Sequence, residues 1–142
     1  APLVQSLSYP GTRPVGAITI DPNNGGHAFV VDAGAIYRTT DAGLTWTDVT
    51  GDLGSFEPSS LRSAAFVHTP YGDALAVGTN RGVYLASARD GYASWNLLGG
   101  SMPTAPVLDL RYDAQRDKLV AGLLGRGAWT LSDIGLATLL AK

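Results

Sequence analysis

Gly34-Ala35-Ile36-Tyr37 returns later in the chain as Gly82-Val83-Tyr84 and again as Gly127-Ala128-Trp129. The steps are about 47 and about 45 residues, a period that belongs to arrays of one supersecondary unit. Val15-Gly16-Ala17-Ile18-Thr19-Ile20 lines up with Leu61-Arg62-Ser63-Ala64-Ala65-Phe66 and with Val107-Leu108-Asp109-Leu110-Arg111-Tyr112. His27 to Val31 lines up in turn with Asp73 to Val77 and with Lys118 to Gly122.

Each unit reads as four strands. In the first they fall near 15–20, 28–31, 35–40 and 45–49, with Asp21-Pro22-Asn23-Asn24-Gly25-Gly26 as the first turn. Asn80-Arg81-Gly82 is the matching hairpin signal in the second unit. The second strands, Ala28-Phe29-Val30-Val31, Ala74-Leu75-Ala76-Val77 and Leu119-Val120-Ala121, are near-continuously apolar, as strands covered on both faces are. Small sheets buried on both faces stack around an axis as propeller blades. The expected fold is all-β, a propeller segment of about three four-stranded antiparallel blades. Residues 1–13 hold an orphan outer strand, Leu3 to Leu7, and a linker; blades follow over 14–53, 54–103 and 104–142, the third either complete or short of its last strand. The tail from Ser132 has two readings. It forms a short helix capped by Ser132 or Asp133, or a worn outer hairpin, since Ser132-Asp133-Ile134-Gly135-Leu136-Ala137 matches Thr40-Asp41-Ala42-Gly43-Leu44-Thr45. The spacing, about twice the repeat, favours the hairpin.

Composition narrows the function. Of 142 residues, 45% are hydrophobic and 15% charged, with 10 Lys+Arg against 12 Asp+Glu and a net charge of -2. A packed core is expected, and a basic nucleic-acid stripe is not. No apolar run is long enough for a membrane-spanning helix. Cysteine is absent, which excludes disulfides and thiol chemistry. His27 and His68 lie far apart in the repeat, so no metal and no cofactor is expected. Ala1-Pro2-Leu3-Val4-Gln5 has neither the basic start nor the apolar stretch of a signal peptide, so the chain reads as mature or as a piece of a longer one.

Thr39-Thr40-Asp41-Ala42-Gly43-Leu44-Thr45-Trp46 carries a local mechanism. Asp41 can accept loop N–H groups, Gly43 supplies a backbone angle that side chains resist, Thr45 satisfies further loop groups, and Trp46 closes the loop by burying a large ring. The stretch resembles the Asp-box, S/T-x-D-x-G-x-T/S-W, of bacterial neuraminidase repeats and sortilin-like propellers. A second copy, Ser87 to Trp95, is two residues longer, with Asp90, Gly91 and Trp95 in similar parts. Pro106 to Leu110, Lys118 to Gly122 and Gly125 to Trp129 look like the closing blade of secreted bacterial propellers of this class. The resemblance covers residues 15–131. It implies that the motif lies on an outer loop with a structural role, and that the protein is secreted, periplasmic or on the cell surface.

The resemblance also frames the enzyme question. Neuraminidases of this class need an arginine cluster, a tyrosine–glutamate pair and an acid. The single glutamate, Glu57, sits in Phe56-Glu57-Pro58 and reads as a solvated loop carboxylate. Xyloglucan-cleaving glycosidases with Asp-boxes use two carboxylates across a cleft. Asp109 is the catalytic candidate, placed on an innermost strand and expected to point towards the central channel. Arg111 shares its face, so the two read equally as a structural ion pair. The loops joining second and third strands offer ligand-face candidates: Asp32, Asn80, Arg81 and Arg126. Arg81 and Arg126 hold equivalent positions and could clasp a carboxylate or phosphate, or could simply be exposed loop arginines. The leading expectation is a non-catalytic binding or scaffold module presenting loops to a protein or glycan. The alternatives are the C-terminal part of a glycoside hydrolase, sialidase-like or xyloglucanase-like, and an assembly factor for a larger complex. Three blades cannot close a ring. The expected partners are therefore the remaining blades of a larger propeller, which is preferred, or further copies of the chain.

Overall fold

The computed structural model describes residues 8–56 and 60–141. The expected strand at Leu3 to Leu7, and Glu57, lie outside the described residues. The first sheet is β1 (Val15–Asp21), β2 (Asn24–Asp32), β3 (Ile36–Thr39) and β4 (Thr47–Asp48), each antiparallel to the next. A single helical turn, α1 (Leu53–Phe56), leads to the second sheet: β5 (Ser63–Thr69), β6 (Gly72–Gly78), β7 (Val83–Ser87) and β8 (Asn96–Leu98). The third sheet has three strands, β9 (Val107–Asp113), β10 (Lys118–Leu123) and β11 (Gly127–Leu131), and a helix follows, α2 (Ile134–Leu140).

Each first hairpin turns on a side chain that replaces a lost ladder bond. Asp21 accepts the Asn23 N–H at 2.8 Å, Thr69 Oγ1 accepts that of Tyr71 at 3.1 Å, and Asp113 accepts that of Gln115 at 3.0 Å.

The sheets stack face to face and make two cores. Phe29, Val31 and Ile36 of the first sheet meet Phe66, Leu75 and Val77 of the second. Ala65, Val67, Ala74 and Ala76 of the second meet Leu110, Leu119 and Ala121 of the third. Successive residues of β6 thus serve opposite seams, which is why that strand is apolar throughout. Each large side chain buried in a seam contributes roughly 1.5–3 kcal/mol.

Pairing corrects the repeat alignment by one residue. Ile20 opposes Ala28 in the first sheet, and Phe66 opposes Leu75 in the second. Ala28 is therefore the counterpart of Leu75, and Phe29 of Ala76. The sequence match of His27 to Val31 with Asp73 to Val77 assumed equal ladders. The turns are equal, Asp21 pairing with Asn24 and Thr69 with Gly72, but the first ladder shifts register between Ile20 and Asp21 and the second does not. A slip of one inverts every facing direction.

The tail is the helix and not the favoured hairpin. Asp133 adopts a left-handed conformation (φ 58) and makes no side-chain cap bond, so it does not act as Asp41 does. Distant residues hold α2 instead. Both Asp117 oxygens accept the Gly135 N–H at 2.9 Å, and Arg89 donates to the Thr138 and Leu139 carbonyls at 2.9 and 2.5 Å. A carboxylate at the start and a cation at the end suit the exposed backbone groups of a helix.

Candidate functional site

Strands β1, β5 and β9 each lie at one edge of their sheet, and the three stand side by side. They form a groove of about 480 Å³ lined by residues 16–20, 62–66 and 108–112. Two hydrogen bonds pin its walls together. Thr19 Oγ1 accepts the Phe66 N–H at 3.0 Å, and the buried Ser63 hydroxyl donates to the Val107 carbonyl at 2.8 Å. Gly16 permits the first approach, since a Cβ there would lie 3.3 Å from the Arg62 carbonyl.

The charged groups of the groove are Arg62, Asp109 and Arg111. Arg111 Nε lies 3.4 Å from Asp109, and both side chains are open to solvent, 81% and 64% exposed. The pair faces away from the second sheet, since its counterparts in β5 are Ser63 and Ala65, which face the third. Asp109 therefore lines the groove but looks across the open flank of the third sheet. Arg62 Nε donates to Asn80 Oδ1, which fixes the guanidinium at the rim. Arg62 escaped the sequence reading because its partner is on another strand pair. Its place at the mouth of an innermost strand, matched by Leu108, was the available signal.

The rim loops divide. Asp32 is buried, and its Oδ1 accepts the N–H groups of Gly34 and Ala35 at 2.8 Å, so it is committed to its own turn. Asn80 reaches the groove through Arg62. Arg81 is exposed on its turn, where its N–H donates to Thr79 Oγ1 at 3.0 Å. Arg126 is exposed on the third rim loop, and its carbonyl accepts the Trp129 indole N–H at 2.9 Å. Backbone bonds stitch rim to linker: Leu61 N–H to Ala33 O at 3.1 Å, and Val107 N–H to Thr79 O at 2.9 Å.

The 39–46 loop joins β3 to β4, far from the groove strands. Asp41 accepts the Thr45 hydroxyl at 2.6 Å, the Thr45 N–H at 2.8 Å and the Thr39 hydroxyl at 2.9 Å. These bonds, the Thr45 hydroxyl first, hold its carboxyl below the usual aspartate range. Thr39 Oγ1 accepts the Gly43 N–H at 2.9 Å, and Gly43 takes the positive φ of 89 that the turn requires. The Trp46 ring packs edge-on against Tyr9 at 5.3 Å.

The 87–95 loop is built differently. Ser87 begins a tight turn over Ala88–Asp90, and Gly91 and Tyr92 both take positive φ. Asp90 Oδ1 is buried without a hydrogen-bond partner, so it does not organise this loop as Asp41 organises the other. Trp95 is buried, and its N–H donates to Asp52 of the preceding linker at 2.9 Å.

The crystal structure of the Niastella koreensis GH74 enzyme superposes on 85% of this chain with a TM-score of 0.61, at 18% sequence identity. The three sheets are blades of a β-propeller. The chain spans 21% of that enzyme's chain, so the likeness concerns a segment of a larger ring. No family model matches the sequence, and no curated protein does. On the propeller frame the groove is the inner wall of the ring, and the 39–46 loop sits on the outer edge of the first blade.

Proposed function

We propose that this propeller segment is a non-catalytic binding module that presents its inner groove and rim loops to a protein or glycan partner. The observation that supports the reading most is the composition of the groove wall. Among the described residues lining it, Asp109 is the one carboxylate, and it stands beside Arg111 in open solvent. Glycoside hydrolysis by two carboxylates needs a second one about 5–10 Å away. Arg62, held by Asn80, and the solvent-open Arg111 instead offer planar donors suited to the hydroxyls and carboxylates of a polar ligand.

Calorimetry of the natural polypeptide against xyloglucan oligosaccharides and sialyllactose, run beside a reducing-end release assay, tests this. Binding without release, weakened about tenfold or more by Arg62→Ala, supports the module. Release by the wild type that Asp109→Ala abolishes overturns it in favour of a glycoside hydrolase. If neither glycan binds, a protein partner is sought by crosslinking at Arg81 and Arg126.

A further inference from the structure

The first blade carries an exposed apolar face, and the repeat says what such a face is for. Its members are Ile18, Ile20, Ala28 and Val30, with Trp46 and Tyr9 at one side. Ile18 and Ile20 are 62% and 57% exposed. By strand register, their counterparts in the second blade are Ala64 and Phe66, both packed in the first seam. The counterparts in the third blade, Leu110 and Tyr112, pack in the second seam. In both seams these positions rest on the blade before.

The approach of the chain repeats as well. The linker ahead of the second blade lies over its tryptophan, with Asp52 on the Trp95 N–H and Leu53 fully buried. The segment ahead of the first blade lies over Trp46 in the same manner. There the Ser8 hydroxyl donates to the Leu44 carbonyl at 2.6 Å, and Tyr9 packs on Trp46 and Tyr37.

A second copy docked head to tail does not fit this face. It would offer the far flank of the third blade, where Asp109, Arg111 and Lys118 hold the positions that Ser63, Ala65 and Ala74 hold in the second blade. The Asp109–Arg111 pair would be pressed onto Ile18 and Ile20, and stripping water from such a pair costs more than the contact returns.

We infer that the Ile18–Ile20–Val30 face is a blade seam, and that its occupant is a further four-stranded blade of the same polypeptide with small uncharged side chains towards it. The chain does not close a ring by repeating itself. This inference concerns the flank and stands whether or not the groove binds a glycan.

The chain has no cysteine, so one introduced thiol in it reports one place. Ile20→Cys is made both in the 142-residue chain and in the natural polypeptide that contains it, with Asp109→Cys as a second reporter. Maleimide labelling is followed by mass, and sedimentation velocity is run over a hundredfold range of concentration. The expected result is fast labelling at position 20 in the isolated chain and at least a hundredfold slower labelling in the natural polypeptide, with no concentration dependence. Fast labelling in both overturns the inference. So does protection in the isolated chain that grows with concentration alongside a doubled or tripled mass, because a second copy then covers the face.

Discussion

The Ser63 hydroxyl donates to the Val107 carbonyl across the second seam at 2.8 Å, and Gly78 lies directly over the pair. A Cβ at Gly78 would fall on the Ser63 oxygen and come within 2.7 Å of Val107 Cγ1. Gly78→Ala must spread the blades or break the bond. Overpacking and the lost bond together predict destabilisation of about 2–4 kcal/mol by urea denaturation. Gly122, the counterpart in the third blade, faces the open flank, and a Cβ there meets nothing nearer than 3.9 Å. Gly122→Ala is expected to be neutral or stabilising by a few tenths of a kcal/mol. Equal costs at both positions would contradict the stacking order.

Asp117 couples the third blade to the terminal helix. It accepts the Tyr112 hydroxyl at 2.7 Å and the Gly135 N–H at 2.9 Å. Burial, then the Asp117 hydrogen bond, drives the Tyr112 phenol pKa well above its usual value. Asp117→Ala strands the helix N-terminus and is expected to cost about 1.5–3 kcal/mol. Amide exchange over residues 134–140 should rise by an order of magnitude or more, while β6 stays protected. Arg89→Ala should loosen the same helix from its other end.

The helix and the seams show where sequence reasoning stops. Strand positions were legible because apolar runs and turn residues are local, but the direction of Asp109 was not: it stands on the strand beside β5 and looks across the open flank instead of towards a channel. The helix stood second of two readings, because Ser132 to Ala137 shares its Asp, Gly and Leu with the 40–45 loop, whereas its stability comes from Asp117 and Arg89, distant in sequence. The register of β2 failed by a single residue for a related reason. A ladder irregularity between Ile20 and Asp21 decides it: Asp21-Pro22-Asn23-Asn24 and Thr69-Pro70-Tyr71-Gly72 are turns of equal length, and the irregularity shows only when the strands pair. Arg62 was overlooked because its value depends on Asn80.

Acid should destabilise the protein in part through three carboxylates. For Asp21, burial raises the pKa, but the Asn23 N–H and His27 together lower it more. The Thr45 bonds lower that of Asp41, and Arg116 lowers that of Asp113. A pKa below the unfolded value of 3.8 means that the folded state binds fewer protons in this range. Their contribution is complete above about pH 5 and is lost as pH falls through the lowered folded values. Urea midpoints should be level from these groups between about pH 5 and 8 and should drop at about pH 3. Asp41→Asn should lower the midpoint at neutral pH and reduce the acid drop. An undiminished acid drop in that variant would remove Asp41 from the account.

The one-residue correction in β2 has an energetic signature at Phe29. In the observed register Phe29 is fully buried in the first seam, with its ring 5.1 Å edge-on from Tyr92 and 6.1 Å from Phe66. In the register drawn from the repeat, Phe29 takes the direction of Leu75 and looks out over the open flank. The two arrangements differ in coupling rather than in composition. Phe29→Ala is expected to cost about 3–5 kcal/mol. In a double-mutant cycle with Tyr92→Ala, the coupling energy should be about 0.5–1.5 kcal/mol, the worth of an aromatic pair beyond its buried area. Ile18→Ala, on the open face of the same blade, should cost under about 0.5 kcal/mol in the isolated chain. Additive effects at Phe29 and Tyr92 would restore the uncorrected register, because the slip turns β2 alone and leaves Ile18 on the open face in either case.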